Sequence, residues 1–367
     1  MNDKNMARKP LKIGFVGGGL NSAVGYTHYL ASRMDGLFEL TSGCFSRNQK
    51  INRDTATKFG IVESRCYETI DSMFEAERGT TEVVCILTPT PNHVENVVDA
   101  LNAGFDVICE KAIATSLTES TLIENAVQET GRKFLAVFNY VGYPMVREAK
   151  ALLVDGQLGH IQQVYCEMPQ ESFSRVEANP QAWRRRDYEI PCVSLDLGVH
   201  VHHMADYLIG GIEGKSLSSF EANYGKIPDV IDTVHATGFY EQGALMNLMW
   251  SKAAIGHTNG LNFKVFAEKG SLEWHQSNPE ILIHCEENGV RKTLERGQTN
   301  LRKANEARFN RFKAGHPAGF IEAFANVYQD FYEELIGSPE ADTGAFGLEA
   351  AIEGIKFLES IHLDAIR

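Results

Sequence analysis

Between residues 11 and 138 the chain alternates strand-length apolar runs with segments of helical period, four such runs each followed by helix and a fifth closing the stretch. The runs fall at residues 11–16, 38–45, 82–87, 106–109 and 134–138, and helices are expected at 24–34, 51–59, 68–75, 93–103 and 117–130. Strands that are apolar without alternation bury both faces, which requires a parallel sheet covered by helices on either side. The pattern therefore predicts an α/β first domain over residues 10–139.

After Asn139 the pattern changes. Apolar and polar residues alternate at 161–167, 216–224, 233–240, 244–251, 262–268 and 281–284, the mark of an antiparallel sheet with one packed and one open face. Helices are expected at 145–154, 196–209, 319–335 and 347–362, so residues 140–367 are read as a second, α+β domain. Residues 291–313 are charged and lack an apolar period, and are expected to form an extended or partly ordered arm.

Thirty-five basic against 48 acidic residues leave a net charge of −13, which disfavours nucleic acid and anionic membrane surfaces as partners. The polar start and the lack of any apolar stretch near 18 residues lead to the expectation of a cytoplasmic protein with no membrane partner. Seven cysteines are spread singly, without a CxxC pair, in keeping with a reducing compartment.

Chemistry-bearing residues cluster at the ends of the expected strands. Gly17-Gly18-Gly19 follows the first strand and precedes a helix, where glycine lets backbone approach a pyrophosphate and the helix N-terminus faces its charge. Gly17 and Gly19 match the first two positions of the six-residue dinucleotide fingerprint, but Ser22 stands third and the next glycine is Gly25, so the turn is longer. After the second strand come Ser46 and Arg47, with no acid to accept bonds from a ribose 2′-hydroxyl, which tilts the expectation from NAD toward NADP. Thr88, Pro89 and His93 follow the third strand and are expected near the cofactor, with Glu110 and Lys111 ending the fourth. A lysine there can bind a substrate hydroxyl and offset an alkoxide charge, with Glu110 orienting it. Asp196-Leu197-Gly198-Val199-His200 places a carboxylate and an imidazole at i and i+4 of a helix, a spacing that lets Asp196 hold one ring nitrogen while the other moves a proton. His202, His203 and Asp206 follow, but adjacent histidines diverge on a helix and no metal motif is completed, so no metal is expected.

The residues Lys12-Ile13-Gly14 through Gly19, Thr88-Pro89 to His93, Glu110-Lys111, Asn139-Tyr140 and Asp196 to His200, in that order and separation, resemble the Gfo/Idh/MocA oxidoreductases over nearly the whole chain. The resemblance implies an N-terminal Rossmann domain and a C-terminal domain whose mostly antiparallel sheet binds substrate and forms a homodimer or homotetramer. It implies Lys111, Asp196 and His200 as the catalytic group, and Gly17, Gly19, Ser46, Arg47, Thr88, Pro89, His93, Glu110 and Asn139 along the nucleotide. Tyr143, Trp183, Arg184 and His316 are further substrate-pocket candidates. Two departures stand out: Ala112 follows Lys111 where proline is usual, and the glycine turn is lengthened. The implied activity is hydride transfer between NAD or NADP and a secondary hydroxyl of a sugar, cyclitol or related polyol. Its rivals are a cofactor-recycling hydrolase, epimerase or lyase, and a non-catalytic dinucleotide or sugar sensor.

Overall fold

The computed structural model describes residues 9–338 and 344–366; the polar start before Lys9 lies outside them. Two compact units are present. One comprises the chain up to Ala114, Thr118–Val137 and Phe320–Glu349; the other comprises Thr115–Leu117, Phe138–Gly319 and the chain from Ala350.

The first unit is built on five parallel strands, β1 (Leu11–Gly17), β2 (Phe38–Cys44), β3 (Val83–Leu87), β4 (Asp106–Glu110) and β5 (Phe134–Val137), in the order β2-β1-β3-β4-β5. Every residue of β3 is buried, as a central strand covered on both faces requires. Helices α1 (Gly25–Arg33), α2 (Gln49–Phe59), α3 (Ile70–Glu77), α4 (His93–Asn102) and α5 (Leu117–Thr130) alternate with the strands. Local chemistry sets their ends. Asn48 caps α2 by accepting from Lys50 and Ile51 main-chain N–H, and Gly60 closes that helix in the left-handed region at φ 75°.

The second unit carries α6 (Pro144–Val154), α7 (Val199–Ile209) and an eight-stranded sheet. Its strands are β6 (Ile161–Pro169), β7 (Ile212–Ala222), β8 (Thr233–Tyr240), β9 (Leu245–Ser251), β10 (Asn262–Ala267), β11 (Gly270–His275), β12 (Ile281–Glu286) and β13 (Arg291–Glu295), ordered β13-β12-β11-β10-β6-β9-β8-β7. Only β6 and β9 run parallel, so the sheet is mixed but predominantly antiparallel. Val164, Cys166, Met168, Val234, Ala236, Met246, Leu248 and Trp250 face the core on alternate positions.

Two expectations need correction here. Residues 291–295 are a strand, not arm: β13 pairs along β12 as the sheet edge, where its charged side chains stay exposed and only Leu294 is buried. The β11 strand was not expected at all, because its Gly-Ser opening hid the alternation of Leu272 and Trp274. The rest of the arm is anchored by buried Arg296, whose guanidinium donates to Glu280, Asn310 and the His316 carbonyl.

Of the last helices, α8 (Phe320–Leu335) belongs to the first unit, where Tyr328 and Tyr332 set their rings edge-on to Phe38. Helix α9 (Leu348–Leu363) begins in the first unit and continues in the second, where Phe357 stacks on His202. Among the described residues no helix is long and apolar enough to cross a membrane.

Candidate active site

In the first unit β1 has β2 on one side and β3 on the other, so the crossovers leave in opposite directions and a crevice opens at the carboxyl ends of β1 and β3. The glycine turn occupies it. Gly17 and Gly18 adopt φ of 82° and 74°, and a Cβ on Gly17 would stand 2.8 Å from the Leu87 carbonyl carbon and the Thr88 nitrogen. Further along, a Cβ on Gly25 would meet the Gly18 carbonyl oxygen at 2.0 Å, so α1 starts directly against the turn. Gly25 thus does the close packing that the fingerprint assigns to its third glycine, three residues later than usual. Ser22 Oγ accepts from the Val24 and Gly25 N–H groups, and the first turn of α1 carries no acid. A cradle that only glycine can line, at an N-terminus free of acidic residues, fits a dinucleotide pyrophosphate.

Around this crevice, Ser46 accepts from the Asn48 N–H and Arg47 is exposed, whereas Lys50 and Arg53 face Asp54 and Glu68. Thr88 is half-buried, with Oγ1 accepting from Asn96, and Pro89 is exposed. The buried His93 ring faces main-chain carbonyls with both nitrogens, those of Ala112 and Thr88, each at 2.7 Å. Glu110 likewise turns inward, with one oxygen 2.8 Å from His28 Nε2 and the other accepting from the Lys111 N–H at 3.1 Å. Lys111 is half-buried and is joined to Ala112 by a cis peptide.

In the second unit Ser194–Gly198 is a π-helical turn leading into α7. The α-helical i, i+4 reading of Asp196 and His200 therefore spans a change of helix type. The Asp196 carboxylate accepts two bonds from Arg184, at 2.7 and 2.8 Å, and one from the buried Lys252 ammonium. This carboxylate with two cations was not expected from the sequence. Arg184 lies in a short turn 12 residues upstream and Lys252 follows β9, 56 residues downstream, so no local spacing connects them.

The three helix histidines point to different neighbours. His200 sets its ring edge-on to Tyr140 at 4.7 Å, and Tyr140 Oη accepts from Asn259. His203 stacks on Phe138 at 3.8 Å, while His202 is buried against Phe357, where desolvation pulls its pKa down to about 4 and keeps it neutral. Gly198 does permit a close approach, but of the Trp250 indole, 2.8 Å from where its Cβ would be. Trp183 packs on a cluster of Phe173, Cys192, Ile227 and Val230 and lies beneath the Arg184 guanidinium at 4.3 Å. Tyr143 is buried beside Tyr140 and Trp274, and His316 is exposed. Asn139 is buried, and its Nδ2 has no hydrogen-bond partner among the described residues. No group of three or more His, Cys, Asp or Glu able to hold a metal occurs among the described residues.

Comparison with known proteins matches residues 11–138 to an oxidoreductase family with an NAD-binding Rossmann fold, and residues 146–273 to the Gfo/Idh/MocA C-terminal domain. The chain belongs to the Gfo/Idh/MocA oxidoreductases. It is 29% identical to the uncharacterized oxidoreductase YfiI of Bacillus subtilis, over 98% of this chain and 96% of that protein. It is 27% identical to levoglucosan dehydrogenase of Pseudarthrobacter phenanthrenivorans, over 74% of this chain and 75% of that one. Among solved structures, an inositol dehydrogenase homolog from Azotobacter vinelandii complexed with NAD+ superimposes with a TM-score of 0.90 at 26% identity, covering 99% of this chain and 97% of that chain. A structure of such a homolog from the same organism with NADH and myo-inositol gives 0.87 at 26% identity, covering 97% and 95%. This oxidoreductase is thus an NAD(P)-dependent enzyme with an N-terminal Rossmann sheet.

Proposed function

We propose that this oxidoreductase transfers hydride between NAD or NADP and a secondary hydroxyl of a sugar, cyclitol or related polyol. The observation that carries the reading is the glycine-lined cradle against Thr88, with Lys111 directly after a strand of the same sheet. The myo-inositol and levoglucosan relatives support the substrate class. Residues 10–139 bind the dinucleotide, and residues 140–367 take the substrate and join copies of the chain. The nicotinamide, when bound, supplies the hydride chemistry. His200 takes the hydroxyl proton, the Lys111 ammonium offsets charge developing on the oxygen, and Asp196, held by Arg184 and Lys252, orients the alcohol. Gly17 and Gly19 line the pyrophosphate, Asn139 offers its unpartnered Nδ2 as a donor, and Tyr143, Trp183, Arg184 and His316 shape the substrate pocket.

A panel of sugars and cyclitols with each cofactor, followed by NAD(P)H absorbance, tests this. Stoichiometric NAD(P)H accumulation is expected. Product formation without accumulation would assign a recycling hydrolase, epimerase or lyase instead, and binding without turnover would assign a sensor.

Cofactor choice rests on Arg47, exposed beyond β2 where a 2′-phosphate would lie. Arg47→Ala is expected to raise the KM for NADP about tenfold, the worth of one charge-assisted contact, and to leave that for NAD within about twofold. Equal effects on the two would rule out 2′-phosphate recognition.

The open face of the second sheet carries the exposed aromatics Tyr165, Phe220, Phe239 and Phe266, of which Tyr165 and Phe266 touch edge to face at 5.9 Å. We assign this face to a homodimer or homotetramer contact. The double variant Tyr165→Glu with Phe266→Glu should lower the mass measured by light scattering, and an unchanged mass would argue for another surface.

A further inference from the structure

The residues on both sides of Lys111 are held by buried imidazoles of the first unit. Before it, Glu110 Oε1 lies 2.8 Å from Nε2 of His28, which is wholly buried on α1. His28 Nδ1 lies 2.8 Å from the Tyr328 hydroxyl on α8, and Cys85 Sγ stands 3.6 Å from the same oxygen. One pattern of protons serves every contact. With Glu110 ionised, Nε2–H donates to its carboxylate, Tyr328 donates to Nδ1, and the Cys85 thiol donates to Tyr328. The second Glu110 oxygen accepts from the Lys111 N–H.

Beyond Lys111, the His93 ring bridges the Ala112 and Thr88 carbonyls. Both partners are acceptors. A neutral ring therefore ties down one of the two through its single N–H, and only the imidazolium ties down both. Burial pulls the His93 pKa down and Lys111 adds to that, while Glu110 and the two carbonyls oppose it. All four ring nitrogens of His28 and His93 face atoms inside the protein rather than a nucleotide or an alcohol.

We infer that His28 and His93 are positioning residues that clamp Glu110, Lys111 and Ala112 from both sides and so aim the Lys111 side chain. In the neutral ring that burial favours, the Nδ1–H tautomer spends its single donor on the Ala112 carbonyl, and Nε2 faces the Thr88 carbonyl without bonding it. This clamp deepens the proposed role of Lys111 and rests on it for its effect on turnover. The clamp itself has a readout that needs neither cofactor nor substrate.

The test uses His28→Leu, His93→Leu, and the donor-retaining His28→Gln and His93→Gln, each in the full-length chain with Lys111 and again with Lys111→Met. In the protein without cofactor, the Leu variants should speed amide hydrogen exchange at residues 110–112 by about tenfold or more, with β1 and the second sheet unchanged and Gln restoring most of the protection. With Lys111 present they should lower kcat by about 10–100-fold, and in Lys111→Met they should change the residual rate by less than about twofold, because the clamp then has nothing to aim. Should a Leu variant fail to fold, Tyr328→Phe deletes one hydroxyl, keeps the ring, and is read by the same two quantities. Unchanged exchange at 110–112, or equal losses of kcat in both backgrounds, overturns the inference. Wild-type kcat in Lys111→Met alone would instead overturn the role given to Lys111, and the exchange measurement would still decide the clamp.

Discussion

His200→Asn is expected to lower kcat for alcohol oxidation by about 10²–10⁴-fold near neutral pH, the usual worth of a positioned acid or base. Asparagine keeps a polar side chain of similar reach at the start of α7 but cannot take up a proton. The ring of His200 is edge-on to Tyr140, which Asn259 holds in turn, so the imidazole is oriented by packing rather than by solvent. Proton uptake needs the neutral ring. A proton-transfer role therefore predicts a pH dependence of wild-type oxidation that the variant, with no ring to take up a proton, does not share. The measurement is kcat from pH 5 to 10 with folding checked by circular dichroism and cofactor affinity by fluorescence. Equal turnover in both proteins at every pH would remove His200 from the proton path.

Gly25→Ala should be the most damaging single methyl group that can be added to the first unit. Its Cβ would lie 2.0 Å from the Gly18 oxygen and 2.5 Å from the Gly18 carbonyl carbon, both main-chain atoms of the turn itself. Neither can rotate away, so the turn and the start of α1 must separate, and the N–H groups aimed at the cradle lose their common direction. Dinucleotide affinity is expected to fall about 30-fold or more, with a loss of stability of about 3 kcal/mol, the upper end of what forced overpacking usually costs. Gly347→Ala is the control, since its nearest atom would be 3.9 Å from the new methyl and that substitution should leave both quantities unchanged. Isothermal titration with NAD and NADP, together with urea unfolding, reads both. Wild-type affinity in Gly25→Ala would mean the cradle does not hold the pyrophosphate.

The sequence was most legible where one period governs a whole element. All five strands of the first sheet were expected close to where they occur, because a run such as Val83–Leu87 has no other way to hide five apolar side chains. The second sheet was legible strand by strand except at β11, where the alternation is short, and at β13, where an edge strand needs little apolar surface. The candidate site was legible as residue types at strand and helix ends. Its pairings were less so. The spacing of Asp196 and His200 on one stretch of chain is visible in the sequence, whereas the Arg184 and Lys252 partners of the Asp196 carboxylate come from different elements and are not. His93 and Glu110 were read as lining the nucleotide, while their polar atoms turn to Ala112, Thr88, His28 and the Lys111 amide.

What the sequence determined by itself is the alternation of strands and helices, the glycine cradle and its lengthened spacing, and the kinds of side chain available for chemistry. These follow from periodicity and backbone sterics, which act over a few residues. Only the tertiary structure decided which charges meet. A buried carboxylate or imidazole must find a partner wherever the chain brings one. For Glu110 that partner is His28, 82 residues away, and His28 in turn meets Tyr328, 300 residues away, a pairing that exists only once strands, helices and the returning α8 are packed.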